Sequence, residues 1–185
     1  SVNGGSSFSK MNVTGIPASE YILSFSGAKA NTSVRFFCIT SGSVWAGIDP
    51  VGNYSDYRGV YTFVTGGSWQ KVSGSLPSGI YPYFCGMATT NISTAYIAGA
   101  SDASAPIIYK TTDEGSTWTS VFKSTNNQNI ATGWSGDGGD RAWSYGEYPM
   151  GFDVALNDPN YVSFSDFGFV HISTDGGATW KQKYV

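Results

Sequence analysis

The sequence predicts an all-β fold, and three observations support that class. Twenty-four of the 185 residues are glycine and 16% are aromatic, while only 12% carry charge. Helical domains lean instead on Ala, Leu, Glu and Lys. Short apolar runs such as YILSF, VRFFCIT and AYIAGA are separated by Gly, Ser, Asn, Asp and Pro, and no long 3.6-residue period interrupts them. One turn motif also recurs along the whole chain, the mark of a repeat architecture.

The motif is fullest at 111–118, TTDEGSTW, and at 173–180, STDGGATW. Asp113 matches Asp175, Gly115 matches Gly177, and Trp118 and Trp180 stand 62 residues apart. At 1–8, SVNGGSSF puts Asn3, Gly5 and Phe8 in the same places, and a shortened copy, TGGSW, occupies 65–69. In such a turn the Asp accepts hydrogen bonds from backbone N–H groups of its own loop. The glycine supplies positive φ, and the tryptophan folds over the loop onto the sheet. The expected role is a structural hairpin staple.

The remaining elements follow in order. Residues 1–20 hold the first turn and the last strand of one unit. A complete unit follows at 21–80 and a second at 81–132. Placing Tyr21 over Tyr81 sets Asn31 on Asn91, Ser33 on Ser93 and Phe36 on Tyr96, an offset of 60. Residues 133–185 hold a long link and a third unit, whose stretch from Tyr148 carries an apolar strand, an Asn/Asp turn at 157–160 and a second strand from Tyr161. Each unit reads as two strands, a variable link, a third strand and the Asp-Gly turn into a fourth.

The pattern Ser/Thr-x-Asp-x-Gly-x-Thr-Trp, once per four-stranded unit, resembles the Asp-box (BNR) repeat of sialidase-like and xyloglucanase-like β-propellers. The resemblance implies a β-propeller of four-stranded antiparallel blades, with the box turn between third and fourth strands and about three blades in this chain. Propellers typically close with about four to eight blades. Self-association or companion chains completing the ring are therefore expected.

Function is sought in what does not repeat. The link GWSGDGGDRAWSYGEYPMGF, 133–152, holds Trp134, Trp143, Tyr145 and Tyr148 among Asp137, Asp140, Arg141 and Glu147. Aromatic rings stack on the apolar faces of sugars while carboxylates and Arg bond hydroxyls, so a polysaccharide or glycan partner is expected here; burial of the rings between blades is the alternative. The stretch NDPNYVSFSDFGFVHISTDGGATW resembles a xyloglucanase-type pattern in which the Asp of a Thr-Asp pair is a catalytic carboxylate. That implies a catalytic role for Asp166, with Ser165 in place of the Thr and Phe169 in place of a glycine. Glycoside hydrolysis needs two carboxylates about 5 to 9.5 Å apart, and Asp137, Asp140 or Glu147 would supply the second. The competing reading of Asp166 is a turn cap. Asp153 is either a buried partner for Arg141 or a strand-edge residue. The outcome is a glycoside hydrolase or a non-catalytic glycan- or protein-binding propeller.

Other chemistries have less material. A net charge of −3 with ten Lys and Arg argues against a nucleic-acid partner, and no apolar run approaches a membrane span. His171 is the only histidine, which leaves little for a serine triad or a zinc site. Arg35, Arg58 and Arg141 lack the context of a sialidase arginine triad, and no phosphate loop or other cofactor motif is present. Cys38 and Cys85 are two buried small hydrophobes or a disulfide. The triplets beginning at Asn12, Asn31, Asn53 and Asn91 arise easily by chance in so polar a chain. Few Lys with abundant Ser, Thr, Gly, Trp and Tyr suggest secretion.

Overall fold

In the computed structural model the described residues are 3–9, 14–43, 56–101, 106–122, 130–132, 151–166 and 169–184. They form three sheets. The first orders β1 (Tyr21–Ala30), β2 (Ser33–Ser41), β3 (Tyr57–Val64) and β4 (Gln70–Lys71) side by side. The second does the same with β5 (Ile80–Gly86), β6 (Ala95–Ser101), β7 (Pro106–Thr111) and β8 (Thr119–Ser120). The third contains β10 (Gly151–Val154), β11 (Val162–Ser165), β12 (Phe169–Ser173) and β13 (Trp180–Tyr184), with β9 (Ile130–Thr132) added in parallel outside β13. All other pairings are antiparallel. The chain is thus all-β, with three propeller-type blades.

The sheets and the sequence units differ at their borders: Ile80, placed with the first unit, opens β5 of the second sheet. Ile130 to Thr132, placed with the second unit on sequence grounds, joins the third sheet. No strand forms among the described residues 3–9 and 14–20. Instead Thr14 O accepts the Trp69 N–H at 2.8 Å, Ile16 packs near Trp69 and Tyr61, and Glu20 takes hydrogen bonds from the Tyr61 and Thr40 hydroxyls at 3.1 and 2.6 Å.

The blades pack face to face through apolar residues that alternate along each strand. Phe37, Ile39 and Val60 of the first blade meet Ala95, Ile97 and Trp118 of the second. Tyr96, Ala98 and Ile108 of the second meet Val154, Val162, Phe164 and Trp180 of the third. First strands lie beside one another, β1 against β5 and β5 against β10. A backbone series links them: Lys29 N–H donates to Thr89 O and Thr89 N–H to Leu156 O, both at 2.7 Å.

The offset of 60 survives in the first strands but not in the second. A bulge recurs at corresponding places, between Ile22 and Ser24 and between Pro82 and Phe84. Beyond the hairpin the register slips by one. Phe36 packs with Cys38, Tyr61 and Phe63 on the face turned away from the second blade, whereas Tyr96 faces the third. The counterpart of Tyr96 is therefore Phe37. One residue of slip is enough to exchange the two faces, and here two adjacent aromatics hide it. Cys38 and Cys85 are both free, and burial pushes each thiol up to about 12, so they act as small apolar groups.

Candidate functional site

The box turns are built alike. In the second blade Asp113 Oδ1 accepts from Thr117 N–H at 2.8 Å and Oδ2 from the Thr117 hydroxyl at 2.7 Å, while Gly115 N–H donates to Thr111 Oγ1 at 2.9 Å. In the third, Asp175 takes the Thr179 N–H and hydroxyl at 2.9 and 2.6 Å, and Gly177 N–H donates to Ser173 Oγ at 2.8 Å. Each turn passes through two consecutive left-handed residues, Glu114–Gly115 and Gly176–Gly177. Trp118 Nε1–H then reaches Val72 O and Trp180 Nε1–H reaches Val121 O, both at 2.8 Å. Val72 and Val121 follow the last strands of the preceding blades, so the staple also fastens blade to blade. At the first copy, Gly4 and Gly5 are left-handed and Asn3 Oδ1 accepts the Ser7 N–H at 3.0 Å, while its Nδ2–H donates to Ser7 Oγ at 2.9 Å, the reverse of the hydroxyl bond in the Asp boxes. Its aromatic differs: Phe8 is 82% exposed.

Asp166 lies at the opposite end of the third blade, where β11 turns into β12. Its N–H donates to Phe169 O at 3.0 Å, its Oδ1 accepts the Phe169 N–H at 2.8 Å, and its Oδ2 lies 3.0 Å from His171 Nε2. Both side chains are 0% exposed. Phe164 stacks on the imidazole at 4.3 Å, and Phe122 and Phe169 meet it at steep angles. His171 sits opposite Phe164, as Tyr109 sits opposite Ile97 and Tyr61 opposite Cys38. Tyr109 and His171 face the preceding blade, and Tyr61 lies on the matching face of the first. A buried polar ring needs a partner, and the first blade solves the same problem with Glu20 on Tyr61. The geometry is that of a turn cap whose second oxygen meets a buried imidazole, with no side-chain surface open to solvent.

The other expected site residues, Trp134, Asp137, Asp140, Arg141, Trp143, Tyr145, Glu147 and Tyr148, lie outside the described residues. Their flanks are placed. Thr132 pairs with Lys181 at the outer edge of the third sheet, and Gly151 pairs with Ser165, next to Asp166, at the inner strand. Ile16, Leu76 and Ile130 each pack against the tryptophan region of their blade. In the first two blades the inner strand follows within five residues, whereas in the third residues 131–150 intervene before β10. Asp153 is exposed and bonds only its neighbour's N–H among the described residues, which fits the strand-edge reading. The sequence reading missed Glu20 and the Arg35–Glu114 pair that joins the first two blades. Placing His171 within reach of Asp166 required the register that sets Ser165 opposite Val170 and Phe164 opposite His171.

These blades define a β-propeller-type fold. YCF48 from Cyanidioschyzon merolae has the same kind of architecture, with a TM-score of 0.53 at 12% identity over 92% of this chain. A polysaccharide lyase of family PL25, an ulvan lyase bound to a glucuronic acid–sulfated rhamnose ligand, aligns at a TM-score of 0.40 and 13% identity over 89% of this chain and 41% of its own. A structure of YCF48 bound to D1 peptide aligns at 0.28 and 13%, over 91% of this chain and 83% of its own. The chain spans 43% of the length of the Cyanidioschyzon protein. No protein-family model and no curated protein sequence matches it.

Proposed function

We propose that the chain is part of a secreted, non-catalytic propeller that binds a polysaccharide through the stretch 133–152. One observation carries the non-catalytic half: the enclosure of Asp166, whose two oxygens are held by the Phe169 N–H and His171. A general acid or nucleophile must reach the scissile bond, and a hydrolase needs two such groups. The binding half is supported by composition, five aromatics beside four charged residues in twenty positions. It is also supported by the flanks of that stretch, Thr132 and Gly151, which sit at the two edges of one sheet. Further blades, from the same polypeptide, a second copy or a companion chain, cover the outward face of the first blade.

The test uses a panel of plant and microbial polysaccharides, scored both for binding and for release of reducing ends or unsaturated products. Binding without product is expected, and Trp143→Ala lowers affinity at least about tenfold, equivalent to about 1.4 kcal/mol. Release of product would overturn the reading, and so would binding that Trp143→Ala leaves intact.

A further inference from the structure

The outer edges of the three sheets are finished differently. β13 carries β9 beside it in parallel, Trp180 opposite Ile130 and Lys181 opposite Thr132. At the start of β4 the Trp69 N–H is taken by Thr14 O. β8 pairs only with β7 among the described residues, and Thr119 and Ser120 are both exposed. Val121 N–H points inward to Ile108 O, so by the alternation of an antiparallel ladder the N–H and C=O of Ser120 point outward. Such an edge is a template for another strand.

Beside this edge lies a cavity of about 430 Å³, lined by Lys110, Thr117, Thr119, Ser120, Asp175 and Gly176 among others. The corresponding space between the first two blades holds a carboxylate, since Arg35 pairs there with Glu114 of the box turn. Gly176 occupies the place of Glu114, with φ of 72° against 66°. The Glu114 carboxylate thus has no counterpart in the second space, where Lys110 supplies a cation that feels only the box carboxylate of Asp175 at longer range. Lys110 Nζ lies 5.5 Å from the centroid of the Tyr96 ring and 3.4 Å from Gly176 O, and it forms no ion pair among the described residues. Asp175 shares the cavity, but both its oxygens accept bonds within its own turn. Asp113 does the same beside the Arg35–Glu114 pair, so a box carboxylate does not exclude a second one.

We propose that this groove binds an extended peptide segment carrying an acidic side chain. The segment adds to β8 as a parallel outer strand, as β9 does on β13, and sets its carboxylate on Lys110. Main-chain bonds supply affinity and the side-chain pocket supplies selectivity, as in other strand-addition modes. None of the lining residues belongs to 133–152, so the proposal stands or falls independently of polysaccharide binding.

The experiment titrates isotope-labelled chain with the capped peptide Thr-Val-Glu-Val-Thr, and with its counterpart bearing Lys in place of Glu, while the backbone amide resonances are followed. The acidic peptide is expected to shift Thr119, Ser120 and Gly176 and to bind roughly tenfold more tightly than the basic one. Lys110→Glu reverses that preference, and Ser120→Pro, which deletes an outward N–H, abolishes binding of both. The proposal is overturned if these resonances stay fixed at millimolar peptide, if Lys110→Glu leaves the preference unchanged, or if only a neutral cello-oligosaccharide moves them.

Discussion

Asp113 is held as an acceptor by the Thr117 hydroxyl, the Thr117 N–H and the Thr111 hydroxyl, which together keep its carboxyl at about 2, below the ordinary 3.8. A folded-state value below the unfolded one means that the ionised form is favoured by folding. The resulting stabilisation is complete above about pH 4 and fades as pH falls toward 2. Urea midpoints measured between those limits should therefore drop in the native chain and drop less in Asp113→Asn, whose amide can mimic the contacts that Asn3 makes with Ser7. This part of the molecule was legible in the sequence because turn chemistry is local: Asp, Gly and Thr within eight positions specify their own bonds. Asp166 was harder to read. It resembles a catalytic carboxylate in its local pattern, and only its approach to His171 across a reversal gives it an interior role.

Among elements, the box turn is both hairpin staple and inter-blade fastener. Trp180 is fully buried and its N–H is spent on Val121 O of the preceding blade. Trp180→Phe should cost about 1–3 kcal/mol, from a deserted carbonyl and lost volume, and Trp180→Ala about 3–5 kcal/mol. Phe8→Ala, at a side chain left in solvent, should stay within about 0.5 kcal/mol. Chemical denaturation of the three variants checks the order, and an equal cost at Phe8 and Trp180 would deny the fastening role. Strand existence was readable from apolar runs and turn residues. Strand facing was not: Phe36 and Phe37 are alike in chemistry, so nothing local tells which one meets the second blade. The hairpin register decides it.

At the scale of the whole molecule, the repeat made three blades legible, and the residues that differ between blades carry what the repeat does not explain. The first blade presents Tyr21, Ile22 and Phe25 at 46%, 51% and 55% exposure, beside the apolar face of Phe36, Phe63 and Trp69. Leu156, 70% exposed, occupies in the third blade the place that Thr89 holds in the backbone series. Apolar surface of this kind marks an association site. Sedimentation is expected to show concentration-dependent self-association that Phe25→Ser weakens, and a monodisperse monomer would contradict that expectation. The long link of the third blade was conspicuous in composition, but composition names a ligand class and not a pose. The most direct test of the account is a comparison of the native chain with Asp166→Asn on the polysaccharide that binds best, scored for affinity and for product. Unchanged affinity, no product from either protein and a lower unfolding midpoint for the variant are expected. Product released by the native chain and lost in Asp166→Asn would contradict the account.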